Sequence, residues 1–308
     1  MTLAPVVLFV YNRKEHTENT LKALEKNQLC KESELFIFSD GPNTEGDPKV
    51  AAVRELLREY RRHSSFHSVE IYESDRNKGL ANSVIGGVTE IINRFGRVIV
   101  LEDDLITGPD FLTFMNGALD FYEKEENIWS VSGYSFPMKA LKSYEYDVFY
   151  TWRGNSWGWG TWLDRWETVD WDVSTYDDFL KDKSWQKRFC RGGRDLPGML
   201  KDQMEGRIDS WAVRWVYEQS NQDKYAVYPR ESKIQNEGLD GSGTHCAEDR
   251  QYRTKIAADS DETRETEFAL LQPERRIIRE FNHKYEYTLD KKIKRRLKKL
   301  PLVGGFFE

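Results

Sequence analysis

The chain is poor in cysteine. Its only three, Cys30, Cys190 and Cys246, lie far apart with no C-x-x-C pair. That excludes a disulfide framework and a cysteine zinc site. Basic charge is not in excess either. The 308 residues carry 46 lysines and arginines against 52 aspartates and glutamates, a formal net charge of −6. A broadly basic surface that coats nucleic acid is therefore excluded, and no nucleic-acid partner is expected. Long hydrophobic runs are missing. The N-terminal run Pro5–Val10 breaks at Tyr11-Asn12-Arg13 and has no basic segment before it, so it reads as a buried strand rather than a membrane span or signal peptide. These absences point to a cytoplasmic protein. A hydrophobic fraction of 39% fits a globular chain, long enough to bury a core without cross-links.

Tryptophan, by contrast, is abundant. Eight of the ten fall between Trp129 and Trp185. Such crowding suits a packed aromatic core, and it equally suits a surface that stacks on sugar rings.

The first 125 residues alternate in period. Apolar stretches at Pro5–Tyr11, Glu34–Phe38, Val69–Tyr72 and Arg97–Leu101 read as strands. Between and after them come helical stripes: Leu21 and Leu24; Val50, Val53, Leu57 and Tyr60; Val84, Val88, Ile91 and Phe95; and Phe111, Met115, Ala118 and Tyr122. Strands alternating with helices predict an α/β fold, with a Rossmann-like, mostly parallel sheet covered by helices on both faces. Ligands of such sheets bind at the carboxyl ends of the strands. The second half reads as irregular from Trp129 to Trp171, with strands near Trp129–Ser132, Val148–Trp152 and Tyr225–Tyr228. Helices are expected at Tyr176–Phe189 and Ser210–Ser220, and a flexible Gly-rich loop at 236–245. The charged composition of 247–270 suggests partial disorder. Three parts result: 1–130 for a nucleotide-sugar ligand, 131–246 for acceptor and catalysis, and a C-terminal extension, 247–308.

That extension ends in seven basic residues between Lys291 and Lys299. Ile293, Leu297 and Leu300 share one helical face, and Leu302, Val303, Phe306 and Phe307 follow. The pattern resembles an amphipathic helix on an anionic membrane, so residues 291–307 are expected to touch the inner face of the plasma membrane.

The sharpest local signal is Val98-Ile99-Val100-Leu101-Glu102-Asp103-Asp104, a buried strand that runs into three carboxylates. Like charges so close disfavour joint ionisation unless a cation offsets them. Carboxylate oxygens suit Mn²⁺ or Mg²⁺, with substrate phosphates completing the shell. An acidic turn that caps the next helix is the plain alternative. Other strand ends carry Tyr11-Asn12-Arg13, Ser39-Asp40-Gly41-Pro42 and Arg76-Asn77-Lys78-Gly79-Leu80. Arg76 or Lys78 would neutralise a diphosphate beside a helix N-terminus. Asp40 would accept from a base or ribose, or simply make a turn.

Together these residues resemble the nucleotide-sugar half of glycosyltransferases of the A-type fold. Leu101-Glu102-Asp103-Asp104-Leu105 with Pro109-Asp110-Phe111 is similar to the animal Golgi N-acetylglucosaminyltransferases that act on N-glycans. The resemblance covers residues 4–130 well and 150–245 more loosely. It implies Asp104 as a Mn²⁺ ligand and Glu102 and Asp103 as contacts to ribose and donor sugar. It also places Tyr11, Arg13, Asp40, Arg76, Lys78 and Gly79 around the nucleotide. Trp157, Gly158 and Trp159, in the stretch Gly154–Trp162, resemble the family's Gly/Trp loop beneath donor and acceptor sugars. The family's catalytic base precedes a helix, which implies Asp209 in Ile208-Asp209-Ser210-Trp211. Asp202, Glu205 and Asp240 are the other candidates, and Asp209 or Ser210 would also serve as an N-cap. His245 matches a histidine that in such enzymes holds metal or diphosphate. A Golgi anchor is not apparent, so a bacterial enzyme of surface-polysaccharide synthesis is the expected counterpart. Its donor would be a nucleoside diphosphate sugar, UDP-linked by the resemblance, and its acceptor a glycan or a lipid-linked sugar. Two rivals are a sugar nucleotidyltransferase, which would want glycines after the first strand, and a non-catalytic carbohydrate-binding protein, which would not need Glu102-Asp103-Asp104.

Overall fold

The structure, a computed structural model, describes residues 2–238, 254–256 and 265–285. Val6–Val10 (β1) runs parallel to both its neighbours, Glu34–Ser39 (β2) and Arg97–Glu102 (β4). Ser68–Glu73 (β3) extends the parallel set beyond β2. All five residues of β1 are buried because both faces are covered. Val6, Leu8 and Val10 join Leu21 and Leu24 of Lys14–Glu25 (α1) and Val53 and Leu57 of Pro48–His63 (α2). Val7 and Phe9 point the other way, to Ala81, Val84 and Val88 of Leu80–Phe95 (α3). The period of two sorts one strand between two cores.

The helix ends follow local chemistry. Asp47 accepts the Lys49 N–H at 2.9 Å, and Pro48 opens α2. The α3 helix stops at Gly96, which adopts a left-handed φ of 76° and bonds its N–H to the Ile92 carbonyl.

Beyond β4 the sheet is mixed. Trp159–Trp162 (β8) lies antiparallel between β4 and Ile128–Ser132 (β6). Tyr225–Pro229 (β9) runs parallel to β6, and Val148–Thr151 (β7) pairs antiparallel with β9. The order is β3-β2-β1-β4-β8-β6-β9-β7, so both halves of the chain share one sheet. Leu105–Thr107 (β5) and Ile234–Asn236 (β10) form a separate antiparallel pair. The sequence reads as a loop over Gly154–Trp162, yet its end is a central strand. A Cβ on Gly160 would meet the Val98 carbonyl at 2.9 Å. The glycine that suggests a loop is what lets β8 lie against β4.

The remaining helices are Phe111–Phe121 (α4), Leu163–Trp166 (α5), Tyr176–Lys181 (α6), Lys183–Phe189 (α7), Leu196–Met204 (α8), Trp211–Asn221 (α9) and Arg275–Lys284 (α10). The single helix expected over Tyr176–Phe189 is two. Asp182 accepts the N–H groups of Ser184 at 2.7 Å and Trp185 at 3.0 Å, and so caps a fresh start.

Most of the tryptophans form core. Ring centroids of Trp129 and Trp215 are 4.3 Å apart, those of Trp159 and Trp211 5.0 Å, and those of Trp166 and Trp215 5.2 Å. Trp159 is 1% exposed. Its expected role as a sugar platform is therefore corrected, since the buried indole packs against Trp166, Trp211 and Trp215. Within the charged stretch 247–270, Phe268 and Ala269 are packed against the body. Phe268 packs on Phe114, Phe121 and Tyr122, and the Ala269 carbonyl accepts from the hydroxyls of Tyr122 and Tyr150. After it, α10 buries Ile277 and Phe281, while Glu280 accepts from the Lys139 and Ala140 N–H groups.

Candidate active site

The chain leaves β1 towards β2 and β3 on one side and returns as β4 on the other. The crevice between the ends of β1 and β4 is thus a topological switch point, where open α/β sheets hold ligands. Arg13 follows β1, and Asp103 and Asp104 follow β4. One guanidinium nitrogen, Arg13 Nη2, bonds the Asp103 carboxylate and also Asp104 Oδ2 at 2.9 Å. The backbone of the cluster is fixed from two sides. Thr20 of α1 donates to the Asp103 carbonyl, and the N–H of Glu237, after β10, donates to the Asp104 carbonyl, both at 2.9 Å. The next residue, Gly238, lies so near that a Cβ there would overlap the Asp104 carboxylate.

The electrostatics match this crowding. Burial, with the charges of Asp104 and Asp103, pushes the Glu102 carboxyl up to about 8. Burial pushes Asp103 up to about 6 against the pull of Arg13. Burial opposes the charge on Arg13, yet the two paired carboxylates outweigh it and hold the guanidinium protonated.

At the next strand end, Asp40 organises a loop. Its carboxylate accepts from the N–H groups of Gly41 at 2.8 Å, Lys78 at 2.9 Å and Gly79 at 3.2 Å. Asn77 ties the same loop to the Gly41 carbonyl at 3.1 Å. A Cβ on Gly41 would collide with the Arg76 backbone, which explains a glycine there. Asp40 thus holds the loop that opens α3, where Arg76 and Lys78 stand exposed.

Asp209 arrives from the second half. Ser210, not Asp209, is the N-cap of α9, and its hydroxyl accepts the Val213 N–H at 3.3 Å. The exposed Asp209 instead faces the start of α3: a Cβ on Gly79 would stand 3.2 Å from Asp209 Oδ2. The alternatives Asp202 and Glu205 are both engaged by Arg207.

The GNT-I family model matches residues 1–192. The chain belongs to the GNT-I family. The resemblance carried by residues 101–105 and 109–111 is borne out at that level. An alpha-1,3-mannosyl-glycoprotein 2-beta-N-acetylglucosaminyltransferase of Arabidopsis thaliana is 25% identical over 199 residues, 61% of this chain and 44% of that protein. The chain therefore spans less than half the length of that relative. Among solved structures, a mannosyltransferase from Pyrobaculum calidifontis in complex with GDP-Man and Mn²⁺ is 14% identical. It covers 71% of this chain and 70% of its own, with a TM-score of 0.40. The galactosyltransferase LgtC, with donor and acceptor sugar analogues, is 10% identical over 72% of each chain, with a TM-score of 0.38.

In this GNT-I family member the other expected residues are spread along the same sheet edge or beyond view. Tyr11 is half-buried after β1. Trp157 is half-buried, its ring edge-on to Tyr134 at 4.6 Å. Gly158 takes a φ of 59° and accepts the Gly133 N–H at 2.6 Å. His245, Asp240 and the basic stretch 291–307 lie outside the described residues. Gly238 is a contributor that sequence reading missed, and Asn77, part of the 76–80 motif, has a loop-tying role that sequence reading did not assign. The Asn-Glu-Gly at 236–238 was visible only as a loop signal, and its contact with Asp104 depends on the β5–β10 pairing.

Among the described residues, no group of three or more His, Cys, Asp or Glu side chains is arranged to hold a metal. The donor set fits a different arrangement, an ion shared between one or two carboxylates and a diphosphate. The upward displacement of Glu102 and Asp103 marks an acidic pocket that a dication would relieve. No helix among the described residues is long and apolar enough to cross a membrane.

Proposed function

We propose that the protein is a glycosyltransferase that moves a sugar, with inversion, from a nucleoside diphosphate sugar to a hydroxyl of a glycan or lipid-linked acceptor. Family membership supports transfer chemistry, and the resemblance favours a UDP-linked donor. The observation that carries the mechanism is the meeting of Asp209 with Gly79, which brings a carboxylate from the second half to the donor edge of the first. Arg13, Lys78 and the N-terminus of α3 would cradle the diphosphate. Asp104, with Asp103 beside it, would hold Mn²⁺ or Mg²⁺, which when bound offsets charge on the diphosphate. Asp209 takes the proton of the acceptor hydroxyl as its oxygen bonds the anomeric carbon. The bond to the diphosphate oxygen breaks with its electron pair. Trp157 and Gly158 would floor the sugar site, and His245 would add to the metal or diphosphate shell. The basic residues 291–307 would keep the enzyme by its acceptor at an anionic, cytoplasmic membrane face. A chain ending at Leu289 that bound anionic vesicles as the full chain does would refute that last point.

The test is thermal melting against UDP, GDP, CDP and ADP, each with and without Mn²⁺. A ligand at 100 times its Kd stabilises by about 2.7 kcal/mol, a shift of a few degrees for a chain this long. A Mn²⁺-dependent shift with one nucleotide supports the reading. Silence with all four overturns it.

A further inference from the structure

Asp104 Oδ2 is contested ground. Arg13 Nη2 lies 2.9 Å from it while also bonding Asp103, and Gly238 crowds the same carboxylate. A dication and a guanidinium seek the same oxygen, and two cations around one carboxylate repel each other. Arg13 is itself tethered. Its carbonyl accepts from Thr17 in the first turn of α1, so the side chain swings from a fixed base. One guanidinium nitrogen, Nη2, reaches both carboxylates here, and the planar guanidinium also presents donors that suit two phosphate oxygens.

We propose that Arg13 is a resident counter-cation that makes metal capture conditional on the diphosphate. With Arg13 on Asp103 and Asp104, a free dication is held weakly. An incoming diphosphate draws the guanidinium away, and Asp104 is released to the ion that the diphosphate brings with it. Metal and nucleotide thus enter as one unit. Arg13 acts here as a positioning residue that couples the two ligands. The inference rests on the donor-site reading above.

Coupling of this kind is reciprocal, so it is measurable from binding alone. The experiment follows the electron paramagnetic resonance signal of free Mn²⁺ titrated with the full chain, alone and then with UDP, GDP, CDP and ADP in turn. For the native chain, Mn²⁺ alone should bind weakly, and the matching diphosphate should tighten it by about tenfold or more. In Arg13→Met, Mn²⁺ alone should bind about tenfold more tightly than in the native chain, and the gain from diphosphate should shrink. Asp104→Asn should abolish Mn²⁺ binding in both backgrounds. Equal Mn²⁺ affinity in the native chain and Arg13→Met, with diphosphate still tightening both, overturns the role of Arg13 and leaves the donor site standing. No Mn²⁺ binding with any nucleotide overturns the donor-site reading itself, and the inference with it. Should Arg13→Met fail to fold, Arg13→Gln decides by the same signal. It keeps a hydrogen-bond donor but removes the positive charge beside Asp103 and Asp104, so Mn²⁺ affinity must rise, and an unchanged affinity counts against the proposal.

Discussion

The carboxylate of Asp209 abuts Gly79, close enough that a methyl group there would stand 3.2 Å from Asp209 Oδ2. The two residues are joined through tertiary structure alone. Gly79 is also held by Asp40, and its φ of 77° with ψ of 160° is a conformation that only glycine adopts easily. Gly79→Ala should therefore lose stability by about 1–3 kcal/mol from backbone strain and press on Asp209. Urea unfolding checks the first effect, and sugar-transfer assays the second. A variant as stable as the native chain would contradict the strain argument.

Asp209→Asn separates chemistry from folding. The residue is exposed and is not the cap of α9. Stability should stay within about 0.5 kcal/mol, while turnover falls by about 10²–10⁴. Nucleotide-dependent melting shifts should persist. Near-native turnover would remove Asp209 as the base.

The acidic cluster predicts an inverted pH dependence. Glu102 and Asp103 titrate near 8 and 6 in the folded chain, above their ordinary values of 4.5 and 3.8. Below those ordinary values the carboxyls are protonated in both states. As the pH climbs, the unfolded chain loses its protons first, so the stability present in acid is lost from the ordinary values of 3.8 and 4.5 upward, up to about 6 for Asp103 and about 8 for Glu102. In EDTA, the melting temperature should fall between pH 5 and pH 8, and Glu102→Gln should flatten that slope. An unaltered slope in the variant would assign it to other groups.

The tryptophans make opposite predictions. Trp159 is packed by Trp211, Trp166 and Trp215, so Trp159→Ala should cost about 3–5 kcal/mol in urea unfolding. Trp157 keeps an exposed part, so Trp157→Ala should cost less and should weaken donor-sugar or acceptor binding in KM. A Trp157→Ala enzyme with native KM values would leave only a packing role for that ring.

Much of the parallel half could be read directly from the sequence. The strands at 6–10, 34–39, 68–73 and 97–102 and the helices between them follow from periods of two and 3.6, because burial on a face is a local rhythm. The carboxylates after β4 were equally plain, since a strand end marks a ligand edge. What the chain could not announce by local rhythm was long-range pairing. Only the sheet decided that Trp159–Trp162 is a central strand, because that depends on whether Val98 and Gly160 can approach. Likewise Trp159 faces core while Trp157 reaches the surface, a choice made by α9 packing over β8. The sequence by itself determined the alternating fold and its acidic edge. The tertiary structure alone decided that Arg13 reaches Asp104 and Asp209 reaches Gly79, because contacts between residues 91 and 130 positions apart are set by chain topology rather than by neighbouring residues.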